Sequence, residues 1–280
     1  MRELLGNAFD LDFVEHSRAA RVLRRPGDTS LTEANVWAGG DYRLLAERLT
    51  PIHEQLVARL DPRAGERWLD VATGTGAIAI RAARAGAEVV GIDIAPELLE
   101  QARADADDLP IRWDEGDAQA LPYPDASFDV VASCFGAIFA PDDEAVAREV
   151  ARVCRPRGRL GLTAWRASPE LRAAYERVGI RPQEPDPTRW SDAGNVRRLL
   201  GEAFDLVLEP GGWRIDFDAP ERMWEWWSTA VPPFVALLES LEPEQRRAMR
   251  AEMLALAERR RANGRVEFSR EYVLVLGRRR

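Results

Sequence analysis

One stretch limits what this chain can fold into more than any other: Arg67-Trp68-Leu69-Asp70-Val71-Ala72-Thr73-Gly74-Thr75-Gly76-Ala77-Ile78-Ala79-Ile80. A short apolar run ends in an acid, a Gly-Thr-Gly turn follows, and small apolar residues continue. That order reads as buried strand, glycine loop and helix. Without a Cβ, Gly74 and Gly76 can take left-handed backbone angles and let a ligand lie directly on the main chain. The helix that starts near Gly76 aims its unpaired N–H groups at the same place. Asp70, at the strand's carboxyl end, falls where open α/β sheets bind ligands.

The units that follow repeat this design. The helix 77–85 is rich in alanine, stops at Gly86, and gives way to a second buried strand, 87–93, ending in Asp93. Asp93 comes nineteen residues after Gly74, the spacing at which an acid in a βαβ unit meets ribose hydroxyls. Pro96 opens a helix with Leu98, Leu99, Ala102 and Ala106 facing inward, and 110–117 reads as a third strand ending in Gly116-Asp117. Phe128–Ser133 is a fourth strand, Asp142-Asp143-Glu144 an acidic first helical turn, and 159–165 a fifth strand after the turn Arg155-Pro156-Arg157-Gly158. This alternation over 67–165 predicts a parallel, doubly wound sheet.

The flanks are read less sharply. Before the loop, Leu44, Leu45 and Leu49 and then Ile52, Leu56, Val57 and Leu60 mark two helices, the second behind Thr50-Pro51. His53 on that helix is read as a partly buried structural residue. Residues 1–34 form an extension with an amphipathic stretch around Val22 and Leu23, and His16 has nothing near it to complete a constellation. Residues 166–262 carry Pro169, Pro182, Pro185 and Pro187, a helix 192–200 and a sixth strand 204–209. Pro210-Gly211-Gly212 is expected to turn into an edge strand, 213–217. The cluster Trp224, Trp226, Trp227 falls on a helix; Trp224 and Trp227 share its inward face and Trp226 is expected at a pocket. A last strand lies within 263–280.

Composition narrows the function. The chain has 280 residues, 46% of them hydrophobic, and a net charge of −8. That balance argues against a nucleic-acid substrate, which requires a broad basic face. The runs Arg259–Arg261 and Arg278–Arg280 read as solvated ends. No apolar run approaches a membrane span, and Met1–Asn7 lacks the apolar stretch of a signal peptide. Cys134 and Cys154 have no metal-ligand spacing, so no metal is expected and a reduced, cytoplasmic setting is.

Asp70-Val-Ala-Thr-Gly-Thr-Gly76 resembles the cofactor loop of class I S-adenosylmethionine (SAM)-dependent methyltransferases, in particular the quinone C-methyltransferase branch, with Ala72 where the usual pattern has Gly. Gly116-Asp-Ala-Gln-Ala-Leu-Pro-Tyr-Pro-Asp-Ala-Ser-Phe-Asp-Val-Val131 is similar to the third-to-fourth-strand signature of the same family. The resemblance implies a seven-stranded Rossmann-like sheet with its last strand antiparallel, N-terminal helices, a SAM-binding core over 35–165 and a helical substrate cap over 166–262. It implies SAM as cofactor, S-adenosylhomocysteine as product and a small-molecule methyl acceptor. The cofactor-facing residues would be Asp70, Ala72, Thr73, Gly74, Gly76, Asp93, Ile94, Asp117, Ala118, Ser133 and Cys134, with Asp117 and Ala118 at the adenine edge. Trp37, Tyr42, Phe135 and Trp226 would form a lid; for Trp37 and Tyr42 a plain core role stays open. No general base is named, because methyl transfer from a sulfonium needs mainly placement. A nicotinamide oxidoreductase fits the glycine loop alone, but no Tyr-x-x-x-Lys is present to pass a proton. A same-fold protein that binds SAM without using its methyl carries the same residues, and monomer and homodimer stay open.

Overall fold

A computed structural model of the chain describes residues 36, 37, 39–180 and 186–280. The extension expected over 1–34, with His16, lies outside them. Five parallel strands form the first part of the sheet: β1 (Arg67–Val71), β2 (Glu88–Asp93), β3 (Arg112–Glu115), β4 (Phe128–Cys134) and β5 (Cys154–Trp165). They stand in the order β3-β2-β1-β4-β5, so the chain reverses direction across the sheet between β1 and β4. At such a switch point the strand ends splay apart and leave a crevice at their carboxyl edge.

β1 is central, with Trp68, Leu69 and Val71 fully buried. A strand covered on both faces has no need of polar alternation, which is why it reads as a continuous apolar run. On one face, helix Ala77–Arg84 comes close because Ala79 and Ala82, both fully buried, give it a thin side. Helices Tyr42–Arg48 and Thr50–Leu60 precede β1, and the second lies over β5, where Gly161 makes room for Leu56 and Leu60.

The far side of the sheet is antiparallel. β8 (Arg265–Arg279) runs between β5 and β6 (Phe204–Phe217), opposite in direction to both. The last strand is therefore antiparallel, as the resemblance implies. A short β7 (Arg261–Ala262) pairs with the start of β8 through Asn263-Gly264, both at positive φ, a tight hairpin turn.

Two boundaries differ from expectation. Pro210-Gly211-Gly212 does not turn: β6 is one strand, paired with β8 residue by residue from Phe204↔Arg279 to Phe217↔Val266. β6 is the outer strand, so Pro210 withholds no bond the sheet needs. Gly211 is the position where the Tyr272 ring crosses, and a Cβ there would lie 2.2 Å from the ring. Likewise Arg155–Gly158 is no separate turn but a bulge in β5, with Arg157 at φ +63. Helices Pro220–Ala230, Pro232–Ser240 and Pro243–Arg259 build a layer against the extended end of β6 and β8, around Met223, Trp227, Phe234, Met253 and Phe268.

Candidate functional site

The loop after β1 is held by carboxylates from the strand ends. Asp70 turns back on its own loop: its Oδ2 accepts the Thr73 hydroxyl at 2.6 Å and the Ala79 N–H at 3.1 Å. The latter is one of the first-turn donors that a helix leaves free. Asp70 is almost fully buried, and burial pushes its carboxyl up to about 7 despite those two bonds. Among the described residues its Oδ1 has no hydrogen-bond partner.

Asp93 ties β2 to the same loop. Its Oδ2 accepts the Gly74 N–H at 2.7 Å and its Oδ1 the Ala95 N–H at 2.9 Å. Each oxygen retains a lone pair beyond those bonds. Burial raises its pKa, and the backbone N–H groups of Ala95, Gly74 and Ile94 work against the rise. Asp117 follows β3 and is held by Gln119, whose backbone and side-chain N–H groups both reach Oδ1, while the side chain also reaches Oδ2 at 2.9 Å. Oδ2 therefore keeps capacity for one more donor.

These elements surround one hollow with a cavity volume of about 130 Å³. Ala72, Gly74, Asp93, Ile94, Asp117 and Ala118 line it. Trp37, Tyr42, Phe135, Phe139 and Pro233 also line it. Tyr42 lies over the glycine loop: a Cβ on Gly74 would come within 3.1 Å of its ring. Trp37 and Phe139 meet edge to face at 4.8 Å. Phe135 adopts φ +58, a left-handed angle a bulky side chain takes only under constraint. The constraint is visible: its ring stacks on Trp165 at 3.9 Å, and its N–H bonds the Thr163 hydroxyl at 2.9 Å.

Nine of the residues singled out from sequence therefore border this hollow, and six do not. Asp70, Thr73 and Cys134 line a smaller adjoining chamber. Gly76 faces the Trp113 ring, where a Cβ would come within 2.5 Å, so it serves helix packing. The Ser133 hydroxyl accepts the Ala137 N–H at 3.0 Å and is buried. Trp226 is a correction: it packs against Trp213 and Phe217 and borders neither cavity, because its helix sets it against β6.

Sequence reasoning passed over Phe139 and Pro233 and gave His53 only a structural role. Phe139 stands four residues after Phe135, in the same loop after β4, so a local signal existed. Pro233 reaches the hollow from a helix far along the chain, and nothing local marks it. His53 is read as partly buried, yet it is only 4% exposed. Burial, reinforced by Arg81, pushes its pKa down to about 3, so the imidazole is neutral. Cys134 is no nucleophile: burial pushes its thiol up to about 12. Among the described residues no cluster of His, Cys, Asp and Glu is placed to hold a metal ion.

Residues 69–162 match the family model described as Methyltransferase domain. The uncharacterized protein Rv1403c of Mycobacterium tuberculosis is 33% identical over 261 residues, covering 88% of this chain and 94% of its own length. Rv1405c of the same organism is 40% identical over 183 residues, covering 61% of this chain and 65% of its own length. The 27-O-demethylrifamycin SV methyltransferase of Amycolatopsis mediterranei is 42% identical over 143 residues, covering 48% of this chain and 52% of its own length. Among solved structures, the YcgJ protein of Bacillus subtilis shares the fold with a TM-score of 0.55 at 20% identity, over 84% of this chain and 99% of its own.

Proposed function

The chain belongs to the family of Rv1403c, within the class I SAM-dependent methyltransferase superfamily, and from that premise we propose that it methylates a small-molecule acceptor held beside SAM in the hollow. The observation that carries this reading is the arrangement of Gly74, Asp93 and Asp117 around one cavity, with the Gly74 N–H bonded to the Asp93 carboxylate.

The residues fit the cofactor piece by piece. Asp93 offers two carboxylate oxygens at the wall, the complement of two adjacent ribose hydroxyls. Asp117 Oδ2 has room for the adenine amino group, with Ile94 and Leu98 as apolar neighbours. Gly74 leaves bare backbone beneath Tyr42, where a side chain would obstruct a ligand. When bound, SAM supplies a sulfonium-activated methyl group.

What this chain contributes is position. Among the described residues, the hollow's titratable side chains are Tyr42, Asp93 and Asp117. Burial raises the Tyr42 phenol, so it holds its proton, and both carboxylates are committed to hydrogen bonds. The acceptor must then bring a nucleophile that is already reactive, and placing it in line at near-attack distance supplies the acceleration. Trp37, Phe135 and Phe139 favour a flat, apolar acceptor. Quinols and phenols are the first candidates, in keeping with the resemblance to quinone C-methyltransferases. The name of the rifamycin relative adds hydroxyl-bearing natural products.

The test is incubation with methyl-labelled SAM and panels of both acceptor types. Label appearing in an organic product supports the reading; cofactor that binds and is never consumed speaks against methyl transfer.

A further inference from the structure

Gly74, Asp93 and Asp117 stand at the carboxyl ends of β1, β2 and β3, so a cofactor seated on them leaves the ends of β4 and β5 to the acceptor. Phe135 follows β4 and borders the hollow, and its ring stacks at 3.9 Å on Trp165, the last residue of β5. Trp165 pairs with Tyr272 of β8. Arg270, two residues before Tyr272, therefore falls just past the end of β5 and on the same face as Tyr272. Its guanidinium lies over the Trp165 ring, with the central carbon 4.6 Å from the ring centre.

This guanidinium is short of partners. It has five N–H donors; Nη2 reaches the Arg166 carbonyl at 3.2 Å, while the buried Nε has no hydrogen-bond partner among the described residues. The neighbouring Glu271 turns to Arg166 instead, at 3.9 Å. Burial pulls the Arg270 pKa down to about 10, and Tyr175 and Asp186 oppose the fall only in part, so it is charged at neutral pH. The other well-covered arginines differ: Arg159 pairs with Glu66 and Arg189 with Asp143. Arg270 and Tyr175 are both half-buried, which leaves their polar ends within a ligand's reach.

We propose that Arg270 determines acceptor specificity, and that the acceptor is an aromatic carboxylic acid whose ring lies along Phe135 and Trp165 and whose carboxylate meets the Arg270 guanidinium. This rests on the reading that SAM fills the hollow. A carboxylate matches the planar fork of a guanidinium and supplies the counter-charge that the fold withholds. The Tyr175 phenol, on helix Pro169–Arg177, feels the same charge and stands by as a further donor. A neutral phenol or quinol would gain nothing from Arg270. The acid is a handle and not the methylated group, since Arg270 borders neither cavity and the Phe135–Trp165 stack separates it from the hollow.

Calorimetry in the presence of S-adenosylhomocysteine compares hydroxybenzoate, hydroxycinnamate and hydroxynaphthoate with their methyl esters. At least one acid should bind the wild-type chain about tenfold tighter than its ester. Arg270→Gln should erase that preference while binding S-adenosylhomocysteine as the wild type does. Arg270→Lys, which keeps the charge without the fork, should retain only part of it. No acid preferred over its ester in the wild type overturns the proposal, and so does a preference that survives Arg270→Gln. Should Arg270→Gln not fold, by circular dichroism, an undiminished preference in Arg270→Lys overturns it. A wild-type chain that binds S-adenosylhomocysteine but prefers no acid sinks this inference alone; one that does not bind S-adenosylhomocysteine sinks the cofactor reading and this inference with it.

Discussion

Ala72 and Gly136 are shaped to each other: a Cβ placed on Gly136 would lie 2.4 Å from the Ala72 Cβ and 2.7 Å from its carbonyl oxygen. Ala72 stands at φ +52, in the left-handed region where glycine is the ordinary occupant. Its methyl is accommodated because the loop after β4 has no side chain at the facing position. The departure from the usual glycine in this loop is therefore matched by a glycine elsewhere.

Gly136→Ala should destabilise the fold by about 1–3 kcal/mol through overpacking, since Gly136 itself has an ordinary φ of −95. Ala72→Gly relieves left-handed strain of about 1 kcal/mol but loosens the unfolded chain by a similar amount, so alone it should be near neutral. Together they should couple: the Gly136→Ala penalty shrinks in the Ala72→Gly background, and part remains because the carbonyl contact persists. A urea-denaturation double-mutant cycle checks this, and strict additivity would count against the pairing.

Asp70 makes a pH prediction. Its folded pKa, about 7, lies above the unfolded value of about 3.9. Between those values the folded chain holds a proton that the unfolded chain has released, so this group's contribution to stability falls as pH rises through that window. Asp70→Asn removes the titration. Without cofactor, its melting temperature relative to wild type should therefore be higher at pH 8 than at pH 5. A difference between the two chains that does not change with pH would show that Asp70 ionises normally.

Cys134 should be inert. A buried thiol held near 12 is protonated at neutral pH, so iodoacetamide at pH 8 should leave it unmodified in the native chain and label it after unfolding. Cys134→Ala should retain methyl transfer. Rapid native labelling, read by mass spectrometry, would contradict this.

How much of this could be read from the residues depends on how local the cause is. Strand, glycine turn and helix over 67–84 are short-range events, and Gly74 and Asp93 announce themselves through backbone freedom and spacing. β6 could not be read as one strand, because what carries it across Pro210-Gly211-Gly212 is pairing with β8, some sixty residues later in the chain. Trp226, set against β6 and not at the hollow, follows the same rule: helical spacing says which residues share a face, not what that face meets. The small chamber beside Asp70, which His53 also lines, joins a helix and a strand that carry no common motif. Pro233 reaches the hollow only after the cap has folded back over it.

The central claim is that Asp93 and the Gly74 loop together form the cofactor's seat, and calorimetric titration of S-adenosylhomocysteine into wild type and Asp93→Ala tests it most directly. Losing a charged acceptor should weaken binding by about 1.5–3 kcal/mol, roughly ten- to a hundredfold, with a circular dichroism spectrum showing the fold intact. A wild-type chain that gives no binding heat, or a folded Asp93→Ala chain that binds as tightly as wild type, would contradict the account.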